Sequence, residues 1–213
     1  MAYGFLDILS TPGVRAAQAA NGSLEMWEDF SGHRAFDRFT AAEAAFVQVR
    51  DSFYIATVSE SGWPYIQHRG GPAGFLKVLD ERTLGFADFR GNRQYISLGN
   101  VASNDRAALF LMDYPNRKRL KILAHMSVRD LAAEPDLAER LSSPGYKGRP
   151  ERAFILELET FDWNCPQHIT PRFTAAEVAV ASSGLHARLA EAEAELKILR
   201  EQVARAQNQE INP

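Results

Sequence analysis

Residues 63–100, WPYIQHRGGPAGFLKVLDERTLGFADFRGNRQYISLGN, constrain the fold more than any other stretch of the chain. They read as three short strands followed by a helix, with bulky apolar residues alternating with polar and cationic ones. The polar set comprises Gln67, His68, Arg69, Lys77, Asn92, Arg93 and Ser97. Arginine presents a planar fork of donors matched to phosphate oxygens, and lysine a compact point charge. The set therefore suits a phosphate joined to a flat heterocycle. A helix opening just after Arg93 would add backbone N–H donors. An anion there would also explain a cation at the end of a helix where the dipole disfavours one.

Strand signals continue on both sides. Residues 53–58 read as a strand, 59–62 as a hairpin turn, and 63–69 as its return. After the GGPAG segment come strands at 75–79 and 83–87, a short helix over 94–101, and strands at 106–113, 119–128 and 153–161. The run RAALFLMD at 106–113 is almost wholly apolar, as expected of a strand buried on both faces. Thr40-Ala-Ala-Glu43 is a capping box that opens a helix to about residue 50. Pro135 opens another over 135–142. Short turns joining most strands predict a mostly β fold with peripheral helices, an antiparallel barrel rather than a doubly wound sheet.

Residues 1–39 carry helical fragments at 3–9 and 13–20 and turn formers at Asn21-Gly22 and Ser31-Gly32. Their aromatics, Phe5, Trp27, Phe30, Phe36 and Phe39, predict a segment that wraps the core. Residues 40–173 form the barrel domain, and 174–213 a separate helix. That helix opens on a second capping box, Thr174-Ala-Ala-Glu177. Beyond Gly184, residues Leu185, Leu189, Ala192, Leu196, Leu199 and Val203 recur at alternating spacings of four and three, a heptad seam suited to coiled-coil pairing with a second copy.

The chain has 213 residues, 46% of them hydrophobic, enough for one substantial core and an appendage. Its net charge of −3 predicts no bulk attraction to nucleic acid or anionic membrane. The basic group Arg117, Lys118, Arg119 and Lys121 reads as a charged hairpin edge. Cys165 is the single cysteine, so no internal disulfide forms, and in WNCPQH it reads as a structural thiol. The N-terminus lacks a basic leader region and no stretch is long enough to span a bilayer, so a soluble cytoplasmic protein is expected. Nucleotide-binding glycine motifs and the nucleophile elbow are absent. None of the histidines (His33, His68, His125, His168, His186) stands at metal-ligand spacing, so no metal site is expected. A bound organic cofactor is then the route to redox chemistry, with His168 as a candidate proton donor.

Three segments resemble the pyridoxamine 5′-phosphate oxidase-like family of FMN-binding split barrels. They begin IATVSESGWPYIQHRGGPAGFLKVLDERTLGFADFRGNRQYISLGN and VASNDRAALFLMDYPNRKRLKILAHMSV, and end with FDWNCPQHITPRF. The resemblance implies a split β-barrel homodimer with FMN in the clefts between subunits, and an oxidoreductase that passes electrons from a nicotinamide or small organic donor to oxygen or another small acceptor. It places Gln67, His68 and Arg69 under the flavin, Lys77 at the end of that strand pair, and Asp88 along the isoalloxazine. Asn92 and Arg93 hold the phosphate, and Arg119 reaches the cofactor of the neighbouring subunit. Trp163 and Arg172 fall in the segment that closes over flavin or substrate. The compact Arg-x-x-Leu-Leu-Lys strand of true pyridoxamine-phosphate oxidases is lengthened here by GGPAG, and their Arg-Leu-x-Pro ending is missing. Both features serve the pyridoxal substrate, so a different electron donor or acceptor is expected. The alternative is a non-catalytic flavin or haem carrier or sensor, with His68, His125 or His168 ligating iron. A third reading is a purely structural coiled-coil dimer.

Overall fold

The computed structural model describes residues 4–28, 36–163 and 166–211. The expectations for Phe30, Ser31-Gly32, His33 and Cys165 lie outside them. The chain divides between Ile169 and Thr170 into two compact units.

The first unit opens with α1 (Phe5–Leu9), α2 (Pro12–Ala20), α3 (Leu24–Glu28) and α4 (Ala41–Gln48). The box that opens α4 forms as read: the Thr40 hydroxyl accepts from the Ala42 N–H at 3.2 Å, and the Glu43 carboxylate accepts from the Thr40 N–H at 2.9 Å. Seven strands follow: β1 (Ser52–Val58), β2 (Pro64–Gly70), β3 (Lys77–Asp80), β4 (Thr83–Phe89), β5 (Arg106–Asp113), β6 (Lys118–Arg129) and β7 (Pro150–Trp163). Helix α5 (Ile96–Ser103) separates β4 from β5, and α6 (Pro135–Arg140) separates β6 from β7.

All pairings are antiparallel, in the order β2-β1-β5-β6-β7-β4-β3. The two edge strands, β2 and β3, do not pair with each other. The sheet nevertheless curls until its ends face one another: Phe53 of β1 meets Phe75 at 5.5 Å and Phe86 of β4 at 5.3 Å. A curled sheet with an unsealed seam is a split barrel. Phe53, Phe75, Phe86, Phe154 and Phe161 fill its interior with Ile55, Leu109, Leu120 and Ile122. Burying each of these side chains contributes about 1.5–3 kcal/mol.

Three local readings change. Strand β5 is not buried on both faces: Ala107, Leu109, Leu111 and Asp113 point inward, while Arg106 and Ala108 are exposed. Its unbroken apolar run reflects an apolar outer face. The helix expected from residue 94 starts at Ile96, because Arg93 and Tyr95 both take positive φ, 63° and 54°. The third strand starts at Lys77 rather than Phe75, since Phe75 and Leu76 turn into the core.

The glycine loop between β2 and β3 serves packing. A Cβ on Gly71 would lie 2.6 Å from the Phe75 ring, and one on Gly74 would lie 2.7 Å from the Gln48 carbonyl oxygen. Gly74 also sits at φ 76°, where a side chain is strained.

The second unit is α7 (Ala175–Ile211), 37 residues capped by Thr174 and Glu177 and continuous through Gly184. No helix among the described residues is long and apolar enough to cross a membrane.

Candidate functional site

The inward face of β2 carries Gln67 and Arg69, since side chains alternate along a strand and Ile66 and His68 point outward. Across the seam, β4 ends in Asp88 and Phe89, the chain turns through residues 91–95, and α5 begins. These elements and the start of β7 enclose a cavity of about 170 Å³, lined by Gln67, Arg69, Asp88, Phe89, Gly91, Asn92, Arg93, Tyr95, Ile96, Ser97, Leu98, Glu151 and Phe154.

Charge at the floor is arranged in layers. Asp88 is buried and takes ion pairs from Arg69 at 2.5 Å and Arg152 at 3.1 Å. Arg152 stands opposite Asp88 in the β4–β7 register and also pairs with Glu151 at 3.4 Å. Glu151 takes Arg90 at 3.7 Å and accepts the Tyr95 hydroxyl at 3.2 Å. The Arg69 guanidinium lies over the Phe154 ring at 5.5 Å. The pair Arg69–Asp88 ties β2 to β4 across the seam, which no backbone ladder closes.

Donors remain free at the cavity wall. The Arg69 Nε is buried with no hydrogen-bond partner. Tyr95, the N-cap of α5, is left-handed and no side chain caps the helix. The first N–H groups of a helix have no partner within it, and here Ile96, Ser97 and Leu98 line the cavity. Ser97 is buried and its hydroxyl donates to Gln67 Oε1 at 3.1 Å, holding the β2 amide against the helix. Asn92 folds over the turn, its Oδ1 accepting the Gln94 N–H at 3.1 Å. Arg93 is exposed and makes no ion pair with any described residue. Arg69 and Arg93 line the cavity with Asp88 and Glu151, while Arg90 and Arg152 pair with those two carboxylates from outside the lining.

Six of the predicted residues thus meet in one cavity: Gln67, Arg69, Asp88, Asn92, Arg93 and Ser97. The others stand elsewhere. His68 faces outward against the Tyr54 ring at 5.5 Å. Lys77 opens β3 opposite Gly85. Arg119 lies on the outer face of β6, over the Phe110 ring at 5.4 Å. Trp163 packs edge-on against Phe46 at 4.8 Å and donates its indole N–H to Glu43 at 2.8 Å. Burial pushes the Glu43 carboxyl up, but hydrogen bonds from the Thr40 hydroxyl, the Trp163 indole and the Thr40 backbone outweigh it and hold the group below the ordinary value of 4.5. His168 occupies a turn at φ 61°, and Arg172 belongs to the second unit. His125 is clasped by Asp105 at 2.9 Å and Glu159 at 3.7 Å. No group of three metal-ligating side chains occurs among the described residues.

Sequence reading missed Arg90, Tyr95, Glu151, Arg152 and Phe154. For Arg152 the missing signal is the β4–β7 register, which joins residues 64 positions apart. For Tyr95 it is a left-handed backbone that its residue type does not advertise.

The family profile described as "Pyridoxamine 5'-phosphate oxidase" matches residues 39–156, more than half of the chain. No curated protein matches the sequence. Among solved structures, the chain is similar to a Group A Streptococcus HupZ at 14% identity, covering 63% of this chain and 99% of that one, with a TM-score of 0.45. An FMN-binding protein from Syntrophomonas wolfei is 14% identical, covering 72% and 95%, with a TM-score of 0.44. A Clostridium acetobutylicum protein of the pyridoxinephosphate oxidase family, related to general stress protein 26, is 15% identical, covering 64% and 94%, with a TM-score of 0.42.

Proposed function

The chain belongs to the pyridoxamine 5′-phosphate oxidase family, and from that premise we propose that it is a flavoprotein oxidoreductase holding FMN in the cleft between β2, β4 and α5. The observation that carries this reading is the anion-ready wall of the cleft. An uncapped helix N-terminus, an unpaired Arg93 and the unpartnered Arg69 Nε converge on one cavity whose two carboxylates are already paired with arginines. A phosphate would occupy the free donors and give Arg93 a counterion.

The residues fit such a group. Arg93 and Asn92 stand where they would take phosphate oxygens, helped by the N–H groups that open α5. Gln67, fixed by Ser97, and the orphaned Arg69 Nε offer donors to the polar edge of a flat ring. Asp88 and Arg152 hold Arg69 in place rather than meeting the ligand themselves. When bound, FMN supplies reversible hydride and single-electron chemistry. The chain's part is to bind it, orient it, and set how far cationic donors near the ring stabilise its reduced form.

The cleft lies against the inner face of β2, and the outer face of β2, β1 and β5 carries Tyr54, Ile66, Ala56 and Phe110 in adjoining registers. Ile66 is 66% exposed. An apolar face of this kind supports a homodimer that completes the cleft from a second copy. The electron donor would be a nicotinamide or small organic molecule.

Purified protein should show flavin absorption, and mass spectrometry of the released chromophore should give FMN. Arg93→Ala should weaken FMN binding by about tenfold to a hundredfold, the loss of a hydrogen bond to a charged group. A colourless protein that takes up no added FMN would overturn the reading, and an unchanged FMN titration would remove Arg93 from the site.

A further inference from the structure

Helix α7 is long and almost wholly wet: every described side chain from 175 to 205 is exposed except Ser182. Yet it carries a continuous apolar stripe. Val178, Leu185, Leu189, Leu196, Leu199 and Val203 are each at least 47% exposed and recur on one face. Because the helix runs unbroken through Gly184, the stripe begins at Val178 and spans about four heptads. Ser182, Leu189, Leu196 and Val203 take the a positions; Val178, Leu185, Ala192 and Leu199 take d. Gly184 falls on the opposite side, where a Cβ would meet nothing within 4 Å. Such a helix draws little stability from its own hydrogen bonds and needs an apolar partner.

We propose that α7 pairs, parallel and in register, with α7 of a second copy of this chain. The flanking charges fit that partner. In a parallel pair each g position faces the e position of the following heptad on the other helix. Arg188 then meets Glu193 of the other copy, and Glu195 meets Arg200, and the twofold repeats both contacts. No like-charged pair results, since the remaining flanking positions are Ala181, His186, Gln202 and Gln207. None of Arg188, Glu193, Glu195 or Arg200 forms an ion pair within its own chain among the described residues. Glu201 and Arg205, on the outward face, do so at 4.0 Å. The stripe buries against its own copy, and the flanking charges are left for the other helix.

The test uses the full-length chain carrying Val203→Cys, oxidised mildly and run on a non-reducing gel beside the parent, whose only thiol is Cys165. The expected result is a covalent dimer absent from the parent, since position 203 meets itself only when the helices run parallel. Adding Arg188→Glu and Arg200→Glu makes every flanking charge acidic and should abolish the cross-link. Mixing that chain with one carrying Val203→Cys, Glu193→Arg and Glu195→Arg should restore it as a heterodimer. FMN uptake by these variants should match the parent, which separates this inference from the flavin assignment. Absence of a cross-link beyond the parent's, or a cross-link indifferent to charge reversal, would overturn the proposal.

Discussion

Asp88 decides most of what happens on the cleft floor. It is a buried carboxylate between two guanidinium groups, and removing its charge would leave Arg69 without a counterion and Arg152 with Glu151 alone. Breaking such a buried pair costs about 3–5 kcal/mol. Asp88→Asn should therefore lower the stability of the ligand-free protein by about 3 kcal/mol, read as a shift in the urea midpoint at unchanged slope. Glu43 is the residue whose contribution follows pH. Its folded-state value lies below the ordinary 4.5. Its stabilisation is therefore complete above that ordinary value and disappears as pH falls through the lower folded value. Glu43→Gln should cost about 1.5 kcal/mol near neutrality, the worth of hydrogen bonds to a charged acceptor. The gap from the parent should close on acidification, and parallel curves from neutral to acid pH would refute this account. The role of Glu43 as a helix cap was readable from Thr-Ala-Ala-Glu. Its grip on Trp163, 120 positions away, was not, because only the folded barrel brings α4 onto β7.

At the scale of the element, the strands and their turns were largely legible, because alternation and turn chemistry are local. What stayed hidden were the places where a connection answers to something distant. The glycine loop between β2 and β3 is one: its close approach is to α4 and Phe75. Gly74→Ala would put a methyl group 2.7 Å from the Gln48 carbonyl oxygen at a positive φ. Since neither backbone segment yields easily, it should destabilise by about 1–3 kcal/mol. Thermal unfolding of the variant checks this. Gly184→Ala, in open space on α7, should instead favour helix by about 1 kcal/mol. Strand β5 was misread for a related reason. Local sequence shows that a run is apolar, but not whether its outer face meets another layer of the same chain or is left exposed.

That exposed layer belongs to the whole molecule. The barrel leaves one seam without a backbone ladder, sets its cleft against β2 at the edge of that seam, and lays Tyr54, Ala56, Ile66 and Phe110 on the adjoining outer face, with Arg119 of β6 over the Phe110 ring. A barrel meant to stay alone would ordinarily carry a charged residue where Ile66 is 66% exposed. If a second barrel seats there, the face, the cleft and the cofactor are one device, and the long helix is a second, separate contact between the same two chains. The two are separable because the compact units divide between Ile169 and Thr170. In a chain ending at Phe173, the parent barrel should still sediment as a dimer. Ile66→Asp, which puts a carboxylate on the face, should weaken association by about thirtyfold or more, as loss of an interface anchor does. FMN retention should fall in the same titration, because a cleft finished by the neighbour is open without it. Undiminished FMN retention in a monomeric Ile66→Asp barrel would mean that one chain suffices to hold the cofactor, and the apolar face would then need another explanation.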